Sequence, residues 1–229
     1  MHPLSVALQK GLDDLSLSLS DAQQARLLAY MDLIGKWTKV YNLTAVRDAN
    51  EMLTHHLLDS LAVVAPLRRE LAKLVVPVAE QGAGLVHEVQ PAQFSLLDVG
   101  AGAGLPGIVI AITCPEISVT CVDTVAKKAA FIQQVAATLK LPNLKGLHAR
   151  VESLTHPYDV VCSRAFASLV DFTTWSKSAL AAHGVWMAMK GKHPDQELAA
   201  LPETVKVFHV EQLQVPGLDA ERCIVWMRG

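Results

Sequence analysis

The residues able to do chemistry are concentrated between Asp98 and Asp123. Gly100, Gly102 and Gly104 alternate directly after the apolar run of Leu96, Leu97 and Val99 and precede a second apolar run, Ile108 to Ile112. Strand, glycine turn and helix in that order let backbone approach a bound nucleotide-like ligand, because glycine accepts positive φ and carries no Cβ. The helix start, with Pro106 placed for its first turn, offers free N–H groups. Residues 102–107 satisfy the GxGxxG spacing of dinucleotide sites. That frame begins two residues after the apparent strand end, so the better frame is an acid on the strand followed by alternate glycines: Asp98, Gly100, Gly102, Gly104. Asp123 follows about 20 residues after the turn, the distance at which a carboxylate can accept both hydroxyls of a ribose. Its structural alternative is the cap of the helix that follows.

Positioning these residues requires a layered fold. The 229 residues are 51% hydrophobic and 18% charged, enough for one sizeable α/β domain with a helical extension. A net charge of −2 argues against binding nucleic acid by global charge, though not against a local basic patch. The four cysteines, Cys114, Cys121, Cys162 and Cys223, form no CxxC pair and suit buried thiols of a cytoplasmic protein. No signal peptide or membrane span is expected, and His55-His56 lacks the company of a metal site.

From Ser95 onward the chain alternates strand and helix, which implies a parallel sheet covered on both faces. Strands are expected at 96–99, 118–122, 144–149, 158–162 and 185–189, with helices at 127–140 and 169–180 between them. A short helix near 194–201 and two paired strands, 204–215 and 222–227, close the chain. Residues 1–66 are expected to form an N-terminal helical lobe: a capping box at Ser20–Gln23, then Leu27, Leu28, Met31, Ile34 and Trp37 at helical spacing, then a second helix from near Asn50. Residues 67–93 look like a linker or mobile insertion, although Arg68 to Leu74 could prolong that helix; 94–229 would be the ligand-binding domain.

In such sheets ligands bind beyond the carboxyl ends of the strands. Those ends carry Asp98 with the glycines, Asp123, Val151 with Glu152, Arg164, and Lys190. Val151-Glu152 could sandwich an adenine and read its edge. Arg164 after an apolar strand is costly unless a carboxylate or a substrate phosphate meets it. The N-terminal lobe adds Lys36, Lys39, Tyr41, Asn42, Arg47, His55 and His56, a basic and aromatic mixture able to grip an RNA backbone and stack a base, or simply a solvated face.

The Asp98 to Gly104 frame resembles the first motif of the class I methyltransferases that use S-adenosylmethionine (SAM). Five ordered segments, 37–44 (WTKVYNLT), 56–60 (HLLDS), 97–107 (LDVGAGAGLPG), 163–168 (SRAFAS) and Lys190-Gly191, resemble the bacterial ribosomal small subunit methyltransferase G family, also called glucose-inhibited division protein B. The resemblance implies a Rossmann-like, mostly parallel seven-stranded sheet with an antiparallel last strand. It also implies methylation of N7 of a guanine (G527) in the 530 loop of 16S ribosomal RNA, alone or in a small-subunit particle, by a cytoplasmic monomer. The family's SAM contacts carry over to Gly100, Leu105, Val151, Glu152 and Arg164, with Gly102, Gly104 and Asp123 beside them. Where the family often has Arg-His before the 57–60 segment, this chain has His55-His56, a weaker and pH-dependent substitute if that arginine meets RNA. Guanine N7 has no proton to lose, so no general base is required, in keeping with the lack of a Ser-His-Asp or Cys-His set. Arg164, Lys190 and Arg222 are then expected to place RNA. The competing readings are a nicotinamide-dependent oxidoreductase built on residues 102–107 and Asp123, and a SAM-fold protein that binds RNA without catalysis.

Overall fold

A computed structural model describes residues 2–74 and 94–229. Its centre is a seven-stranded sheet in the order β3-β2-β1-β4-β5-β7-β6. The strands are β1 (Phe94–Val99), β2 (Ile117–Asp123), β3 (Leu144–His148), β4 (Tyr158–Arg164), β5 (Leu180–Lys190), β6 (Lys206–Leu213) and β7 (Arg222–Arg228). The first five are parallel; β7 runs antiparallel between β5 and β6. The order reverses between β1 and β4, the crevice where open α/β sheets take their ligands. This sheet, with helices on both faces, is the Rossmann-like seven-stranded arrangement that the resemblance implies.

Alternation along the strands splits the core in two. Leu96, Val119, Cys121, Val160, Cys162, Met187 and Trp226 face one side and join α6 (Gly107–Thr113), α7 (Ala126–Thr138) and the N-terminal helices. Leu97, Val99, Val122, Val161, Trp186 and Val225 face the other and join α8 (Leu169–Ser176). Side chains of period two thus fill both layers from one sheet.

The N-terminal helices are α1 (Ser5–Asp14), α2 (Asp21–Tyr41), α3 (Ala49–Met52), α4 (Asp59–Leu61) and α5 (Val64–Leu74). They share the first core rather than forming a lobe of their own, since Leu8, Leu27, Ile34 and Leu57 belong to the same cluster as Ile108 and Val119. The capping box at α2 is present, and Gln23 has a second task. Its amide donates to the Ile112 and Thr113 carbonyls at 3.1 Å each, and Arg68 donates to Thr113 at 2.8 Å. The carbonyls at the end of α6, which have no partner within their own helix, are answered from α2 and α5. The expected boundary at 66/67 therefore falls inside α5; the remainder of the expected insertion, 75–93, lies outside the described residues.

The second N-terminal helix departs from expectation. Between α3 and α4 it widens into a π-helical turn, Leu53–Leu58, which carries His55 and His56. Such turns are uncommon and frequently lie at functional sites. A final short helix, α9 (Asp195–Ala199), precedes the closing hairpin.

Candidate active site

The turn 100–105 is held from three directions. Below it, Asp98 at the end of β1 is fully buried and accepts the Gly107 N–H at 2.8 Å through Oδ2; its Oδ1 has no partner. Burial pushes the Asp98 carboxyl up to about 7, with the Gly107 N–H and Arg164 opposing. Beside the turn, Asp123 at the end of β2 accepts the Gly102 N–H at 3.0 Å and the Val125 N–H at 2.8 Å. Asp123 does not cap α7, whose N-cap is Val125; it braces the chain entering that helix through the Val125 N–H and lines the cleft. From α2, the buried Tyr30 hydroxyl donates to the Ala103 carbonyl at 2.6 Å. Gly100, Gly102 and Gly104 have φ of +67°, +60° and +87°, the left-handed region that favours glycine.

Two hollows flank this turn. The larger, a cleft of about 400 Å³, is lined by Gly100, Asp123, Lys128, Arg150, Val151, Glu152, Phe166 and Trp175 among others. It brings together the predicted Gly100, Asp123, Val151 and Glu152. Glu152 is exposed, and its carboxyl sits below the usual range through its own backbone N–H and Arg150 at 3.1 Å. The smaller hollow, about 200 Å³, is lined by Leu43, Thr44, His56, residues 100–103, Leu105, Arg164 and Ala165. It collects the predicted Gly102, Leu105 and Arg164. Gly104 is not among the lining residues of either hollow; it shapes the turn.

The three cations expected to place RNA are already engaged with carboxylates. Asp59, 2% exposed, receives Arg164 Nη1 at 2.9 Å on one oxygen and Arg222 Nε at 2.8 Å on the other. Arg164 also donates to the His55 carbonyl at 3.0 Å. Of the two partners expected for Arg164, the structure supplies the carboxylate, and from the N-terminal layer. Lys190 pairs with Glu197 at 2.8 Å. The histidines also differ from their expected role as RNA-facing groups. His56 is buried, with Nε2 2.6 Å from Thr44 Oγ1, and burial followed by Arg164 lowers its pKa, keeping it neutral. Both ring nitrogens of His55 are shielded and unpartnered. Both histidines lie in the π-helical turn, where the His56 ring meets Thr44 and the His55 carbonyl meets Arg164 at the end of β4.

The remaining polar candidates stay at the surface. Lys36, Lys39, Tyr41, Asn42 and Arg47 are exposed around the end of α2. Asn42 closes that helix in the left-handed conformation, and Arg47 ties to its Oδ1 at 2.7 Å and to the Thr38 carbonyl at 3.0 Å. Tyr41 leans on Trp37 at 5.0 Å, with Lys127 6.0 Å above its ring. Leu43 and Thr44, which follow, line the smaller hollow, so this basic and aromatic surface is continuous with the site. Residues that spacing did not reveal are Tyr30, Asp59, Thr44, Phe166 and Trp175. Thr44, Asp59 and Phe166 stand inside segments that carried the family resemblance; Tyr30 and Trp175 gave no local signal.

A family model described as rRNA small subunit methyltransferase G matches residues 23–85 and 80–225. The chain belongs to that family. A Ribosomal RNA small subunit methyltransferase G of Polaromonas sp. (strain JS666) is 71% identical over 221 residues, covering 96% of this chain and 92% of the relative. The protein of the same name from Albidiferax ferrireducens is 67% identical over 228 residues, covering 100% and 98%. Among solved structures, a SAM-dependent methyltransferase from Aquifex aeolicus is similar in fold, with a TM-score of 0.52 over 79% of this chain and 97% of that one at 15% identity. The chain is thus a SAM-dependent methyltransferase, and the nicotinamide reading of residues 102–107 is set aside. Among the described residues no helix is long and apolar enough to cross a membrane.

Proposed function

We propose that the chain methylates N7 of a guanine (G527) in the 530 loop of 16S ribosomal RNA, with SAM as donor, acting as a cytoplasmic monomer on the RNA or a small-subunit particle. The observation that carries this reading is a clamped glycine turn at the β1/β4 reversal with a hollow on each side. The residues fit the donor. A Cβ built on Gly102 would meet nothing nearer than the Gly100 carbonyl at 3.9 Å, so the turn is open to a ligand on that side. When bound, SAM supplies an electrophilic methyl group on a sulfonium.

The rest is done by the chain. Each Asp123 oxygen holds one backbone N–H and keeps a lone pair for a ribose hydroxyl. Val151 offers an apolar surface to adenine, and Glu152 an acceptor for its amine. Leu105 and Arg164 line the smaller hollow, where a guanidinium suits the donor's carboxylate and Asp59 keeps Arg164 in place. No group has to remove a proton from N7, and the neutral, Thr44-bound His56 is consistent with that. Rate then comes from alignment, which can supply about 7–11 kcal/mol. Lys36, Lys39 and Tyr41 are the surface offered to RNA.

Incubation with labelled SAM and 16S RNA or small-subunit particles, followed by mapping of the modified base, tests the reading. Label on a single 530-loop guanine, as N7-methylguanine, is expected; label elsewhere or none refutes it. Lys36→Ala with Lys39→Ala is expected to lower the salt slope of RNA binding by about 1 for each phosphate no longer neutralised and to leave SAM binding unchanged.

A further inference from the structure

Gly100 and Ala165 are the residues that line both hollows. A ligand with its nucleoside in the cleft and its amino-acid end in the smaller hollow must cross at Gly100, and in SAM the group joining those ends is the sulfonium. A side chain at Gly100 would run into the ring of Phe166, so the ring lies against the turn at that crossing. Phe166 is half-buried and braced edge-on by Phe172 (6.4 Å, 77°) and Trp175 (5.9 Å, 81°). The carboxylates nearby have other partners: Asp98 is sealed beneath the turn, Asp123 holds two backbone N–H groups with Lys128 at 3.6 Å and faces the proposed ribose position, and Glu152 is paired with Arg150.

We propose that Phe166 holds the sulfonium by a cation–π interaction, which makes it the residue that distinguishes the charged donor from its neutral product. This rests on the placement of SAM across the two hollows given above. Ring quadrupoles attract cations within about 6 Å and do so more strongly once water is excluded. In the transfer, the N7 lone pair forms the new bond to carbon, the carbon–sulfur pair stays on sulfur, and the positive charge passes to the purine. The attraction at Phe166 therefore ends with the chemistry, and the ring favours substrate over product.

Calorimetric titration of the full chain with SAM, S-adenosylhomocysteine and sinefungin, which carries an ammonium where SAM has its sulfonium, tests this directly. Phe166→Leu is expected to weaken both cationic ligands about 5- to 10-fold and the neutral one less than about 2-fold. A second series keeps the ring and its packing: phenylalanine at 166 bearing one, two or three fluorines. SAM affinity is expected to fall stepwise with fluorination while S-adenosylhomocysteine stays level. Equal losses for all three ligands, or a flat fluorine series, overturn the proposal. Failure of the unaltered protein to bind any of the three would instead overturn the placement of SAM itself.

Discussion

Adding one methyl group at Gly102 separates the folding of the turn from its use. At Gly102 the backbone φ is +60°, and an added Cβ has only the Gly100 carbonyl in range, at 3.9 Å. Gly102→Ala therefore costs the left-handed backbone alone, about 1 kcal/mol, or about 2–4 °C in melting temperature for a domain of this size. Gly104 has φ of +87°, and its added Cβ would collide with Ile108, a side chain with no exposed surface. Overpacking there adds about 1–3 kcal/mol to the backbone cost, so Gly104→Ala should lose roughly 2–4 kcal/mol. The two variants differ in the opposite sense toward the ligand. Gly102 lines the smaller hollow, where the amino-acid end of SAM is proposed to lie, whereas a methyl at 104 would meet the buried Ile108. Thermal melts with and without SAM read both effects. At 100 times its dissociation constant SAM should stabilise the unaltered protein by about 2.7 kcal/mol. For Gly102→Ala that shift should nearly vanish while the ligand-free melt falls only by about 2–4 °C. A Gly102→Ala protein that keeps the full shift, or that loses as much ligand-free stability as Gly104→Ala, refutes the reasoning.

Three other perturbations follow from the same contacts. Asp98 has a folded pKa of about 7 against an ordinary 3.8, so the folded chain retains a proton that the unfolded chain releases between those values. Its contribution is complete below about pH 4 and is lost as pH rises to about 7, a span worth roughly 4 kcal/mol. Urea unfolding at several pH values should show that decline, and Asp98→Asn should flatten it; an unchanged slope counts against the buried, protonated carboxyl. Asp59→Asn leaves two partly buried guanidinium groups short of a charge, and a loss of about 2–4 kcal/mol in urea is expected, discounted for their exposure of 21% and 26%. Tyr30→Phe strands the buried Ala103 carbonyl and should cost about 1–3 kcal/mol with weaker SAM binding by calorimetry; unchanged SAM affinity would show that α2 does not steady the turn.

The sheet was legible because its signals are local. Short apolar strands ended by polar residues and separated by helical periods gave four of the five parallel strands to within two residues, whereas β5 begins five residues before its expected start, where a helix was expected to continue to 180; the acid–glycine frame marked the turn beside the two hollows. What lay beyond reach joins distant positions. Asp59 meets Arg164 and Arg222 across 105 and 163 residues, and nothing in the spacing near Arg164 says which carboxylate will answer it. Arg164 was costly without a partner, so a partner was foreseeable, but its identity depends on how the N-terminal helices dock. The histidines failed for a local reason of another kind. A single π-helical turn shifts the register of the helix around it and leaves no mark in the hydrophobic spacing, so His55-His56 read as polar surface although their ring nitrogens are shielded. The start of the chain is similar: α1 buries Leu8 and Leu12 against helices that fold elsewhere.

These distant contacts bear on how the enzyme works. A methyl transfer without acid–base chemistry depends on holding two partners in line, and a misplacement of about 1 Å can cost about a hundredfold. The turn that must not move is fixed by Asp98 from β1, Asp123 from β2 and Tyr30 from α2, each through a backbone group of residues 102–107. Arg164, on the far wall, is fixed by Asp59 and the His55 carbonyl, both from the N-terminal layer. The helices before residue 75 therefore fix both the glycine turn and Arg164. Their exposed end, with Lys36, Lys39 and Tyr41, is rigidly connected to the same α2 that holds Ala103. RNA engaged at that end would meet a turn whose position is already set.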